Sequence, residues 1–127
     1  MSRLSEAEVY AALPAQDMER AKSFYADKLG LKPFEESPAG TRYRGAKGEF
    51  GVFPSSGAPS GTHTQMGWVV DDLDAAVQEL RSNGVVFEEY DMPGFKTVDG
   101  IADIEGDRGA WFKDSEGNLL VLGERTD

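Results

Sequence analysis

Cysteine is absent from the sequence, and histidine occurs once. Without thiols there is no disulfide, no thiolate metal site and no cysteine nucleophile, and one imidazole cannot build a histidine-rich metal centre. Long hydrophobic runs are missing too. No segment approaches the roughly 18–20 apolar residues that a membrane span needs, and the opening MSRLSEAEVY lacks the apolar centre of a secretory signal. Basic side chains are outnumbered, 13 Lys and Arg against 23 Asp and Glu, for a formal charge of −10. Such a surface repels phosphate backbones and anionic lipid, so neither nucleic acid nor membrane is an expected partner. No Ser-His-Asp, Cys-His or phosphate-loop arrangement is present, and the glycines of GTRYRGAKGEFG are spaced for a hairpin. A soluble cytoplasmic protein is expected, with 127 residues forming a single domain over 1–127.

What is present is a repeat. VYAALPAQDMERAKSFYADKLGLKPFEE, from Val9, and MGWVVDDLDAAVQELRSNGVVFEEY, from Met66, share one plan. Each runs from a short apolar stretch to an Asp, through a helical pattern to a Gly, and on to Phe-Glu-Glu. Asp17 and Asp72 are N-caps, whose carboxylates accept from otherwise unpaired helix N–H groups. Met18, Ala21, Phe24, Tyr25 and Leu29 form one apolar helix face, and Leu73, Ala76, Val77 and Leu80 the matching one. Gly30 and Gly84 are left-handed stops. Strands are predicted over 32–36, 41–44 and 49–53 in the first half, and over 85–90, 110–113 and 119–122 in the second. The order is β-α-β-β-β twice, with modules at 8–54 and 64–124 joined by the Pro-, Gly- and Ser-rich PSSGAPSGTHT.

DMERAKSFYADKLGL, VDDLDAAVQELRSNGV and FKDSEGNLLVL, in that order, resemble the vicinal oxygen chelate superfamily of glyoxalases, bleomycin-resistance proteins and extradiol dioxygenases. The likeness spans Val9 to Leu122. It implies an α+β fold in which two βαβββ modules form a curved mixed sheet, with helices on the convex side and the ligand on the concave side. Many such proteins are homodimers. The fold hosts lyases, isomerases, dioxygenases and metal-free binding proteins, so it does not fix the chemistry.

The resemblance also implies four metal-ligand positions. A first-strand ligand lies seven residues before the capping Asp, at Tyr10 and Gln65; a last-strand carboxylate lies seven after Asp114, at Val121. Aligning Gly48 with Gly117 places Val52 in the fourth position and Arg42 opposite Trp111. Valine has no lone pair to give, so the expectation is no cofactor, with a divalent metal as the alternative through a shifted register or a site using Glu49 and His63. His63 otherwise reads as a solvated linker residue.

Strand alternation then puts Tyr10, Ala12, Phe50, Val52, Gln65, Gly67, Leu119 and Val121 on the ligand face, with Trp111 and Arg42 as polar-tipped neighbours. The segment 90–109 reads as a long loop whose Phe95, Val98 and Ile101 either close over the trough or cap a dimer interface. Tyr10 and Glu89 are the candidate acid–base groups, Glu89 on the expectation that an apolar trough raises its pKa. The leading reading is a metal-independent protein, homodimeric, that holds a small amphipathic organic ligand. The alternative is a lyase or isomerase of the glyoxalase type, using a nonstandard metal or a metal-free acid–base site.

Overall fold

The computed structural model describes residues 2–124. After a single 3-10 turn at Leu4–Glu6 the first module runs β1 (Tyr10–Ala15), α1 (Met18–Asp27), β2 (Glu35–Ser37), β3 (Gly40–Arg44) and β4 (Glu49–Pro54). The second runs β5 (Thr64–Val70), α2 (Leu73–Ser82), β6 (Asp91–Met92), β7 (Phe95–Val98), β8 (Ile101–Ile104), β9 (Asp107–Lys113) and β10 (Leu119–Glu124). The fold is α+β and each half is a βαβββ unit, the second extended by extra strands. No helix among the described residues is long and apolar enough to cross a membrane.

Local chemistry sets the helix ends. The Asp17 carboxylate accepts from the Arg20 N–H and that of Asp72 from the Ala75 N–H, each at 3.0 Å. Gly30 and Gly84 follow the helices at φ 71° and 98°, where a side chain is disfavoured.

Each first strand pairs in parallel with the last strand of its own module, giving orders β1-β4-β3-β2 and β5-β10-β9-β8-β7-β6. The halves thus form two mixed sheets, with β1 and β5 as outer strands. Between them lies one shared core. Leu13, Val52, Tyr25, Leu73, Leu120 and Phe112 are essentially sealed from solvent, each Leu, Val or Phe contributing about 1.5–3 kcal/mol. A ladder of rings crosses from one half to the other: Tyr25 on Tyr43, Tyr43 on Phe50, Phe50 edge-on to Trp68, and Trp68 above Phe112.

Polar contacts clasp the halves as well. The Tyr25 hydroxyl donates to Asp114 Oδ2 at 2.7 Å, and Asn118 Nδ2 donates to the Pro14 carbonyl at 3.0 Å. Glu116, buried in the second module's last turn, accepts from the Gln16 and Asp17 N–H groups and from the Arg20 guanidinium. The arginine, first of all, holds the Glu116 carboxyl down to about 2.

Two expectations change here. The 85–90 strand is reduced to one bridge, Phe87 to Phe112. The 90–109 segment is no loop: it is the β6–β9 meander, turned at Asp99–Gly100 and Glu105–Gly106. All four of these residues have positive φ, between 52° and 94°, the geometry of two-residue hairpins.

Candidate functional site

The face of each sheet turned away from the core is fixed by register. In the first module Leu13 pairs with Val52 and Ala11 with Phe50, and these look inward. The outward set is therefore Tyr10 opposite Glu49, Ala12 opposite Gly51, and Arg42 opposite Gly51 on its other side. This corrects the expected site: Phe50 and Val52 are core residues, and Glu49 and Gly51 take their places on the open face. Alternation was right, but the phase taken from Gly48 was wrong by one residue.

The second module has only part of the expected set on its open face. Gly67, Val121 and Trp111 stand in one row across β5, β10 and β9, opposite in sense to the inward Trp68, Leu122 and Phe112. Leu119 begins the same strand but is buried, beside a bulge that displaces Gln65. Gln65 is engaged there. Its Nε2 donates to Asn118 Oδ1 at 2.8 Å and its Oε1 accepts from the Leu119 N–H at 3.2 Å. The amide stitches the turn to β5.

Trp111 anchors an aromatic platform. Its indole N–H donates to Thr64 Oγ1 at 2.9 Å. Phe95 and Tyr90 meet it edge-on, with centroids 5.3 and 6.2 Å away, and stack on each other at 5.3 Å. Burial, and secondarily the charge of Glu88, raises the Tyr90 pKa. Phe95 is thus a member of this platform. Val98 is 70% exposed on the meander, and Ile101 packs against the core.

The first module's open face is charged. Arg42 donates to Glu49 Oε1 at 2.5 Å and to Glu35 Oε1 at 2.6 Å, and these hydrogen bonds raise its pKa. A cleft of about 350 Å3 includes Tyr10, Arg42, Glu49 and Gly51. A second, of about 260 Å3, runs from Tyr10 and Glu49 to Gly67 and Met66 across the two modules. Of the expected residues, Tyr10 and the otherwise buried Phe50 line both clefts, Arg42 the first and Gly67 the second, while Ala12, Val52, Gln65, Trp111, Leu119 and Val121 line neither.

Glu89 departs from expectation. Thr97 Oγ1 donates to its Oε1 at 2.6 Å and the Gly100 N–H at 3.0 Å. These bonds lower its pKa, the Thr97 bond most. It is a hairpin clamp held as the anion, the opposite of a base raised by an apolar trough.

Set against a divalent ion, the open-face donors do not fit. Val121 offers an alkyl group, the Gln65 amide is committed to the bulge, and Glu49 is paired with Arg42, leaving the Tyr10 phenol. A separate carboxylate group, Asp72, Asp74 and Glu124, lies within 4.8 Å at the start of α2. Its members are already engaged: Arg108 donates to Glu124 at 2.8 Å and to Asp74 at 3.1 Å, the Leu73 N–H bonds Glu124, and Asp72 caps the Ala75 N–H.

Sequence reasoning missed Gly51 and Thr64, and named Glu49 only as an alternative metal ligand with His63. The alternation Phe50-Val52 against Glu49-Gly51 was visible, and putting the larger apolar pair inward would have selected the correct face.

The family model described as Glyoxalase/Bleomycin resistance protein/Dioxygenase superfamily matches residues 9–122. No curated protein matches the sequence significantly. Among solved structures, TnmS3, an antibiotic binding protein from Streptomyces sp. CB03234, is 20% identical, with TM-score 0.64 over 94% of this chain and 96% of its own. Lactoylglutathione lyase from Agrobacterium tumefaciens is 21% identical, with TM-score 0.66 over 93% and 92%. UcmS2 is 19% identical, with TM-score 0.68 over 92% and 96%. At these identities the likeness is one of fold.

Proposed function

The chain belongs to the glyoxalase/bleomycin resistance protein/dioxygenase superfamily, and from that premise we propose that it binds a small amphipathic organic ligand without a metal. The observation that carries this reading is the row Gly67–Val121–Trp111, where an alkyl group and an aromatic platform occupy the open face. A flat ring stacks or packs edge-on against Trp111 and Phe95, each aromatic pair adding about 0.5–1.5 kcal/mol. Arg42 and Glu49 on the other module supply the polar contacts that orient the remainder. A structural relative that is itself an antibiotic binding protein agrees with this use of the fold.

The ligand is shared between copies. β1 and β5 are outer strands with one unpaired edge each; Tyr10 and Val69 on them are 67% and 65% exposed, and Val9, just before β1, is 84% exposed. A homodimer joining these edges covers the apolar surface and brings a charged face against an aromatic one.

A second reading, a metal-free lyase or isomerase, rests on Tyr10 standing opposite Glu49 in register: a phenol and a carboxylate on adjacent open-face positions. A lyase among the structural relatives keeps it in play. The deciding experiment is a thermal-shift screen of aromatic ligands with and without chelator, followed by product analysis of the hits. A ligand that raises Tm equally in both conditions and is recovered unchanged supports binding. A shift that needs added metal overturns the metal-independent reading, and a converted ligand selects the enzyme.

A further inference from the structure

Behind the second sheet, on the side opposite the Gly67–Val121–Trp111 row, lies a cleft of about 250 Å3 between the two modules. Leu29 and Leu31, in the chain that follows α1, form one wall; Ala76 and Leu80 of α2 form the other; Trp68 and Phe112 form the floor. The wall residues come from different modules, so the cleft exists only because the halves pack together.

Its chemistry is selective. Every one of these six side chains is apolar or aromatic, and the space exceeds the ~150 Å3 of a dry, Leu- and Phe-lined cavity that takes up benzene. Trp68 lies near-parallel to Phe112, 11° apart at 6.3 Å between centroids, and no described residue accepts a hydrogen bond from its indole N–H. The one charged group at the rim is Glu79. Its carboxylate has no ion-pair or hydrogen-bond partner among the described residues, unlike Glu49, Glu89, Glu116 and Glu124, which are all engaged.

We infer that this cleft is a second binding site, specific for a small aromatic amine: the ring enters between Leu29, Leu31 and Leu80 over the Trp68–Phe112 floor, and the ammonium group meets Glu79. A carboxylate at the mouth repels arylacids of the same size, and the protein's net charge of −10 acts in the same direction. Phe112 and Trp68 share strands with Trp111 and Gly67, so the two sites lie on opposite faces of the same ladder and have no lining side chain of the aromatic platform in common.

The test uses phenethylamine, toluene and phenylacetate on the full-length protein, by calorimetric titration and methyl chemical shifts. Phenethylamine is expected to bind saturably and to move the methyl signals of Leu29, Leu31, Ala76 and Leu80, with toluene weaker and phenylacetate silent. Glu79→Gln, a surface change that spares the fold, is expected to weaken phenethylamine on the order of fivefold at low salt and to leave toluene unchanged. Ala76→Leu, which fills the space, is expected to abolish binding, whereas Trp111→Ala is expected to preserve it. Three results would overturn the inference: no saturable shift at those methyls; shifts centred on Val121 in their place; or equal affinity for phenethylamine and phenylacetate.

Discussion

Gly67 lies directly opposite Val121, so close that a Cβ at residue 67 would collide with Val121 Cγ1 and sit 2.8 Å from the Val121 carbonyl oxygen. The small residue is the condition for β5 and β10 to pair in parallel with a branched side chain in the row. Gly67→Ala is therefore expected to destabilise the protein by about 1–3 kcal/mol, the range for overpacking. Adding Val121→Ala removes the side-chain clash and leaves the backbone one, so it restores only part of the loss. Urea unfolding of the single and double variants measures both.

Trp111 carries the ligand reading. Trp111→Ala removes the platform and the bond to Thr64, and affinity for an aromatic ligand is expected to fall at least about tenfold, as for a buried aromatic anchor. Val121→Asp places a carboxylate in the same row, which an apolar ligand cannot solvate, and is expected to weaken binding comparably. Titration followed by calorimetry checks both; unchanged affinity for either places the ligand elsewhere.

Acid should loosen the clasp between the modules. The Glu116 carboxyl lies at about 2 in the fold against an ordinary 4.5, chiefly because Arg20 bonds it. A depressed carboxyl contributes stability that is complete above about pH 4.5 and disappears as pH falls through about 2. Its contribution is on the order of 2–3 kcal/mol. Glu116→Gln is expected to be less stable than the parent at pH 7, with the two converging near pH 2 in denaturation curves taken across that window.

Chelation is expected to change nothing. Protein purified without chelator should carry substoichiometric metal, and Tm and ligand affinity should be the same with and without it. Elemental analysis showing one Zn, Ni, Mn or Fe per chain, lost together with affinity, would contradict the donor set of the open face.

Much of the fold was legible because the repeat is written in residues that act locally. Asp17 and Asp72 cap their helices through their own side chains, and Gly30 and Gly84 stop them through backbone freedom. No distant contact is needed for either. The Val121 position was also readable, since the Asp114–Gly117 turn fixes the phase of β10 from close by. Val52 was not, because a single Gly had to set the phase of β4; packing against α1 decided it, and the larger apolar alternation went inward. The 90–109 meander is signalled by Val98-Asp99-Gly100-Ile101, a two-residue hairpin turn between apolar residues, but its strands are too short to show periodicity. Glu89 illustrates the remaining gap. Its pKa depends on Thr97 and Gly100, eight and eleven residues away, which reach it only once that hairpin has closed.

The interlock formed by Tyr25 with Asp114, Asn118 with Pro14 and Glu116 with Arg20 has a mechanical corollary. These contacts lie outside the PSSGAPSGTHT stretch, which adds a lighter one of its own, the Ser56 carbonyl accepting from Gln16 Nε2 at 2.9 Å. A protease nick between Gly57 and Ser60 is therefore expected to leave two fragments that stay associated, as size-exclusion chromatography of the nicked protein would show.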